Sequence, residues 1–235
     1  MKKLSLIACM LLFTAAFAQD EKKNLISGHI GLSIPMGLYG STENKDGAQF
    51  ASVGRNLQAM FTHTTGKFYV GGQLSLFANA MNVDEFNKMM LNETGAAVSA
   101  TSASGFAGLN ILGMIGYNLV KDKKTSFGAH IKPGLSSVAI TSIDNRVQGN
   151  GNEVRTQRDA AGSVAFTTLL GYDVRFDFTT NFTLLLGMDY QVLSADFTEV
   201  PIRQYLNGTL FATDKLSGNS KFNQLMVNFG VGYRF

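Results

Sequence analysis

KFNQLMVNFGVGYRF, Lys221 to Phe235, is the stretch whose reading decides the fold. In steps of two, Asn223, Leu225, Val227, Phe229, Val231, Tyr233 and Phe235 fall on one side. Phe222, Gln224, Met226, Asn228, Gly230, Gly232 and Arg234 fall on the other. The first set is almost wholly apolar and the second mostly polar or small. Successive side chains of a strand point to opposite faces, so this is a strand with one greasy face and one wet or crowded face. It stops on an aromatic residue.

The same alternation recurs upstream. It predicts strands at 24–34, 52–63, 68–80, 106–119, 126–138, 163–178 and 182–197 before the terminal one. The clearest is 163–178, where Val164, Phe166, Leu170, Tyr172, Val174 and Phe176 oppose Ser163, Thr167, Gly171, Asp173 and Arg175. Short turns lie at Thr64 to Lys67, Lys121 to Lys124 and Thr179 to Asn181. Long polar connections fill 38–49, 81–104, 141–161 and 199–220. Within 81–104, Asn82 and Glu85 have capping-box spacing, and Val83, Phe86 and Met90 recur at helical intervals, which predicts a short amphipathic helix. Eight strands with connections alternating long and short make an all-β, eight-stranded antiparallel up-and-down transmembrane β-barrel. An even strand count leaves both ends of the chain on one side and sets strand eight beside strand one, which removes the sheet edges.

A soluble barrel would turn its apolar face inward around a ligand; a membrane barrel turns it out to lipid. The in-strand charges Lys132, Asp173, Arg175, Asp177, Asp189 and Arg234 keep to the polar parity, where Gly, Ser, Asn and Gln otherwise dominate. Aromatic residues (Phe61, Phe68, Tyr117, Phe127, Phe176, Phe178, Phe182, Tyr233 and Phe235) gather toward the end that carries the short turns, as at a membrane interface. Two residues strain the reading. Arg55 has the lipid-facing parity, tolerable near the outer rim, where it costs about 0–1 kcal/mol. Pro133 lacks an amide hydrogen, so a bulge is expected at Pro133-Gly134.

Residues 1–18, MKKLSLIACMLLFTAAFA, read as an export signal: Lys2 and Lys3, an apolar core, then Ala16-Phe17-Ala18 before Gln19. Cleavage is expected after Ala18, leaving 19–235 as the barrel. The rival reading is a lipoprotein signal at Leu6-Ile7-Ala8-Cys9. Cys9 is the one cysteine, so a chain cut after Ala18 has neither disulfides nor thiol chemistry. Of 20 Lys and Arg, removing Lys2 and Lys3 leaves 18 against 17 Asp and Glu. That balance argues against nucleic acid as a partner, because neutralising phosphates takes a basic excess.

A last strand ending on Tyr233 and Phe235 resembles the closing strand of Gram-negative outer-membrane β-barrels. With the terminal GVGYRF, the export signal and the loop rhythm, the whole of 19–235 is similar to the small OmpA/OmpX-type barrels of the outer-membrane β-barrel family. The resemblance implies that Phe229, Tyr233 and Phe235 form the signal read by the barrel-assembly machinery after passage by periplasmic chaperones. It implies outer-membrane lipid and lipopolysaccharide as surroundings, and a monomer. The chain departs from the pattern in having no Trp, and no peptidoglycan-binding half is expected.

Little in the chain carries chemistry. His29, His63 and His130 are the histidines; none has a triad partner placed by a motif, so they read as interior filler or turn residues. No zinc spacing or phosphate loop is present, and no cofactor is expected. The inward charges are more informative. An eight-stranded barrel has room for its side chains and little else, and buried charges must be paired. Lys132, Asp173, Arg175 and Asp189 fall at similar heights on neighbouring strands, which predicts an ion-pair network plugging the lumen; the alternative is charges solvated near the mouths. The leading expectation is a non-enzymatic outer-membrane protein acting through its long outer loops. The competing classes are a narrow pore, an accessory barrel of a secretion system and a lipid-modifying enzyme.

Overall fold

The computed structural model describes residues 23–43, 47–95, 97–140, 142–149 and 151–235; the 1–18 signal and its cleavage point lie outside them. In chain order the elements are β1 (Asn24–Pro35), β2 (Gly54–Thr65), β3 (Phe68–Asn79), α1 (Val83–Thr94), β4 (Ala97–Ala103), β5 (Phe106–Lys121), β6 (Thr125–Ile140), β7 (Ile143–Gly149), β8 (Asn152–Arg158), β9 (Ala161–Asp177), β10 (Phe182–Leu206), β11 (Thr209–Lys221) and β12 (Gln224–Arg234). Eight of these strands form an antiparallel ring in the order β1-β2-β3-β5-β6-β9-β10-β12. The terminal strand closes it. β12 pairs with β1 from Leu25↔Arg234 to Pro35↔Gln224 and with β10 from Phe182↔Tyr233 to Gln191↔Gln224. No backbone edge is left open, which is the condition for a sheet to sit in hydrocarbon.

The outward parity is apolar and bare: Val164 is 68% exposed, Phe166 65% and Ile30 65%. In water this would be an apolar patch far beyond what soluble proteins expose; against lipid tails it carries no penalty. At the end bearing the short turns, outward rings pack edge to face or stack, as in Phe68–Tyr117 at 4.9 Å and Phe182–Tyr233 at 5.4 Å. This is the transmembrane β-barrel in the orientation the alternation implied. The long connections emerge at the opposite, outer end.

The first connection is the loop expected, with neither strand nor helix among its described residues, but the other three are not. The expected helix is there: α1 begins at Asn82, whose side chain accepts from the Glu85 N–H at 3.2 Å, and ends at Gly95 in the left-handed region. The remainder of those three connections is largely sheet. β7 and β8 make a hairpin in 141–161, while β10 runs on from the ring and turns at Asn207-Gly208 into β11. Together β11-β10-β8-β7-β4 form a five-stranded outer sheet. Asn207 (φ 49°) and Gly208 (φ 83°) both have positive φ, the two-residue turn whose twist suits a hairpin. Polar composition masked these strands because neither face of the outer sheet meets lipid.

Two further expectations meet the structure. There is no bulge at Pro133-Gly134. The β5–β6 ladder keeps its register from Leu112↔Gly134 to Ile115↔Ile131 and lapses between them, while β6–β9 pairs through Pro133↔Thr168. The strand absorbs the missing donor by omitting pairing on one side rather than by inserting a residue. The β5–β6 ladder shifts register instead between Asn118 and Val120. Arg55 does face outward, at the outer end of β2 between Leu32 and Ala78.

Candidate functional site

The lumen is filled in layers. At the outer mouth the first long connection dips inward and buries Tyr39 completely. Its ring meets Phe106 at 5.4 Å and Phe222 at 5.3 Å, edge on, and its hydroxyl donates to Asn79 Oδ1 at 3.2 Å. Phe77, Phe197 and Val200 complete this apolar cap. Below it, amides cross the lumen. Gln224 Nε2 donates to Gln191 Oε1 (2.6 Å), Gln191 Nε2 to Asn110 Oδ1 (3.2 Å) and Asn110 Nδ2 to Ser75 Oγ (2.9 Å). This chain links β12, β10, β5 and β3 through inward polar side chains, each on the same parity of its strand.

The charged cluster lies next. Lys132 Nζ donates to both oxygens of Asp189 at 2.9 Å. Arg175 Nε donates to Asp173 Oδ2 and its guanidinium lies 4.3 Å from the centre of the Tyr69 ring, whose hydroxyl donates to Asp173 Oδ1 at 2.7 Å. His130 joins the two carboxylates: Nδ1 is 3.0 Å from Asp173 Oδ1 and Nε2 2.7 Å from Asp189 Oδ1. Lys132, Arg175, Asp173 and Asp189 are all buried, and the cavity bordered by His29, His130, Lys132, Asp173 and Asp189 holds about 10 Å³. Nearer the termini, Arg234 Nε pairs with Asp177 Oδ1 at 3.0 Å.

The four charges singled out in the sequence are therefore brought together in two pairs: Lys132 takes Asp189, and Asp173 takes Arg175. Two members, His130 and Tyr69, were not singled out. Their signal lay in glycine on the inward parity. A Cβ at Gly171 would overlap Asp189 Oδ1 and crowd His130 Nε2, and one at Gly116 would overlap the Tyr69 ring. An inward glycine thus marks the slot of a large inward neighbour. Phe229 and Tyr233 face outward and are 48% and 42% exposed, with Phe235 stacked on Tyr233 at 6.3 Å. His29 is buried beside Ser27 Oγ at 2.9 Å, and His63 contacts Asn24 Oδ1 at 2.8 Å. Among the described residues no group of His, Cys, Asp and Glu is arranged to hold a metal ion.

No family model matches the chain, and no curated protein matches its sequence. Solved structures do. OprG, an outer membrane protein of Pseudomonas aeruginosa, is similar with a TM-score of 0.51 and 12% identity, over 90% of this chain and 95% of that one. The Neisserial surface protein NspA is similar with a TM-score of 0.48 and 12% identity, over 91% and 97%. Ail, the attachment invasion locus protein of Yersinia pestis, is similar with a TM-score of 0.43 and 10% identity, over 91% and 99%. At such identities only the fold is shared. A closed eight-strand ring, an apolar exterior and the likeness to OprG make this the fold of the small outer-membrane β-barrels.

Proposed function

We propose that the protein is an integral outer-membrane barrel that conducts nothing and works, without catalysis, through its outer sheet. The sealed lumen carries this reading. An apolar cap, an amide chain and a buried ion cluster stand in series along the axis, and a permeant solute would have to break all three. What is left for function is the outer surface, where partners have access. There β10 supplies a rigid support: at 25 residues and about 3.3 Å per residue it spans roughly 80 Å, well beyond a hydrocarbon core of about 30 Å. The tip of its hairpin bares Leu206, Leu210 and Phe211, at 41%, 51% and 56% exposure, the kind of apolar patch that meets another surface.

Planar-bilayer recording tests the sealed lumen. The expected result is no stepwise conductance from protein that shows heat-dependent gel mobility. Steady channels from the same sample would favour the narrow-pore reading. Lipid A of unchanged composition, and unimpaired export, in cells lacking the protein are the expected results against the lipid-modifying and secretion readings. Partner capture by wild type that is lost on Leu210→Asp/Phe211→Asp would locate the contact on the hairpin tip.

A further inference from the structure

Arg55 is a charged residue on the wrong side of the wall. It projects outward from β2 into the outer end of the apolar belt, and it has neither an ion pair nor a hydrogen bond among the described residues. The charges of the lumen are buried in partnerships; Asp196, outward on β10 above the belt, accepts from Asn219. Around Arg55 the wall is shaped. Leu32 and Ala78 flank it in register, and one row inward Ile30, Leu57 and Leu76 stand side by side. These residues line an exterior groove of about 610 Å³ with an almost wholly apolar surface. The small Ala78 opens it on the β3 side. One row further in are Gly28 and Ala59, and a Cβ on Gly28 would meet nothing within 4 Å.

A lone guanidinium at the head of an apolar groove, at the outer end of the apolar belt, has the chemistry of a lipid site. Arginine presents a planar fork that matches phosphate oxygens two at a time, and the groove below it suits an acyl chain. We infer that Arg55 and this groove bind one lipopolysaccharide molecule of the outer leaflet, the guanidinium on a lipid A phosphate and an acyl chain along Leu57 and Ala78. The inference rests on the outer-membrane reading above. It gives an unpaired cation in the apolar belt a partner that the protein itself does not supply.

Native mass spectrometry on protein extracted in mild detergent from outer membranes tests it. Wild type is expected to carry one lipopolysaccharide per barrel. Arg55→Gln should lower that occupancy at least tenfold, and Arg55→Lys should retain part of it. Ala78→Phe, which fills the groove and leaves the cation, should lower it as well. All three substitutions face lipid, so heat-dependent mobility should match wild type. Equal occupancy in wild type and Arg55→Gln would overturn the inference, as would a phospholipid or a second copy of the chain in place of lipopolysaccharide. A wild-type protein that is absent from the outer-membrane fraction would fail the location reading instead, and the fractionation distinguishes the two.

Discussion

Replacing Lys132 by Met removes one charge from the densest part of the lumen and keeps the length of the side chain. Lys132 gives Asp189 two hydrogen bonds at 2.9 Å, and both side chains are about 2–3% exposed. Removing one partner of a buried pair costs about 3–5 kcal/mol, because the other charge is left without compensation. Asp189 keeps its contact to His130 Nε2 at 2.7 Å, which places Lys132→Met at the low end, about 3 kcal/mol, or more than a hundredfold in the folding equilibrium. The chain has no Trp, so urea unfolding in phospholipid vesicles is best followed by circular dichroism and by the mobility of unboiled samples. The pairing itself is read by two double-mutant cycles. Lys132→Met with Asp189→Asn should couple by about 1 kcal/mol or more, and Lys132→Met with Asp173→Asn by less than about 0.5 kcal/mol. A cost below about 1 kcal/mol for Lys132→Met, or a larger coupling to Asp173, would refute the cluster as described.

Other perturbations probe the lumen, the wall and the outer sheet. Gly171→Ala drives a methyl group into Asp189 and His130 and should cost about 2 kcal/mol in the same assay, whereas Gly28→Ala, with open space before it, should stay within about 0.5 kcal/mol. Tyr39→Ala empties the centre of the outer cap and should cost about 3 kcal/mol, yet leave planar bilayers silent, because the amide chain and the ion cluster below it still close the lumen. On the outer sheet, the hydrogen bond and charge of Arg155 hold the Asp144 carboxyl below its usual range. A carboxyl lowered in the folded state adds stability that is complete above the unfolded value of about 3.9 and is lost as pH falls through the folded value. Protease resistance of the β7–β8 hairpin should therefore be the same at pH 7 and pH 5 and drop below about pH 4, while Asp144→Asn should lack that drop.

Much of this architecture is a property of the sequence alone. A period of two, held over eight stretches and broken by alternating short and long connections, specifies which residues meet lipid, how many strands close the ring and that β12 lies beside β1. The parity also gathered Lys132, Asp173, Arg175 and Asp189 on the inner face, because a strand has only two faces and hydrocarbon excludes charge from one. The Asn-Gly pair at 207–208 carries the signal of a hairpin turn, but the polar residues around it gave no alternation to read, and no hairpin was expected there. What parity leaves open is the partner across the lumen. Whether Lys132 reaches Asp189 or Asp173 depends on the stagger between β6, β9 and β10, on the slot that Gly171 leaves, and on His130 lying between the carboxylates. Likewise, Tyr39 belongs to a connection with no periodicity, and only the closed ring creates the apolar mouth that draws it in. Local pattern sorts side chains inside from outside, since that choice is made one residue at a time. Pairing and plugging need distances between strands far apart in the chain, and only the closed barrel sets those.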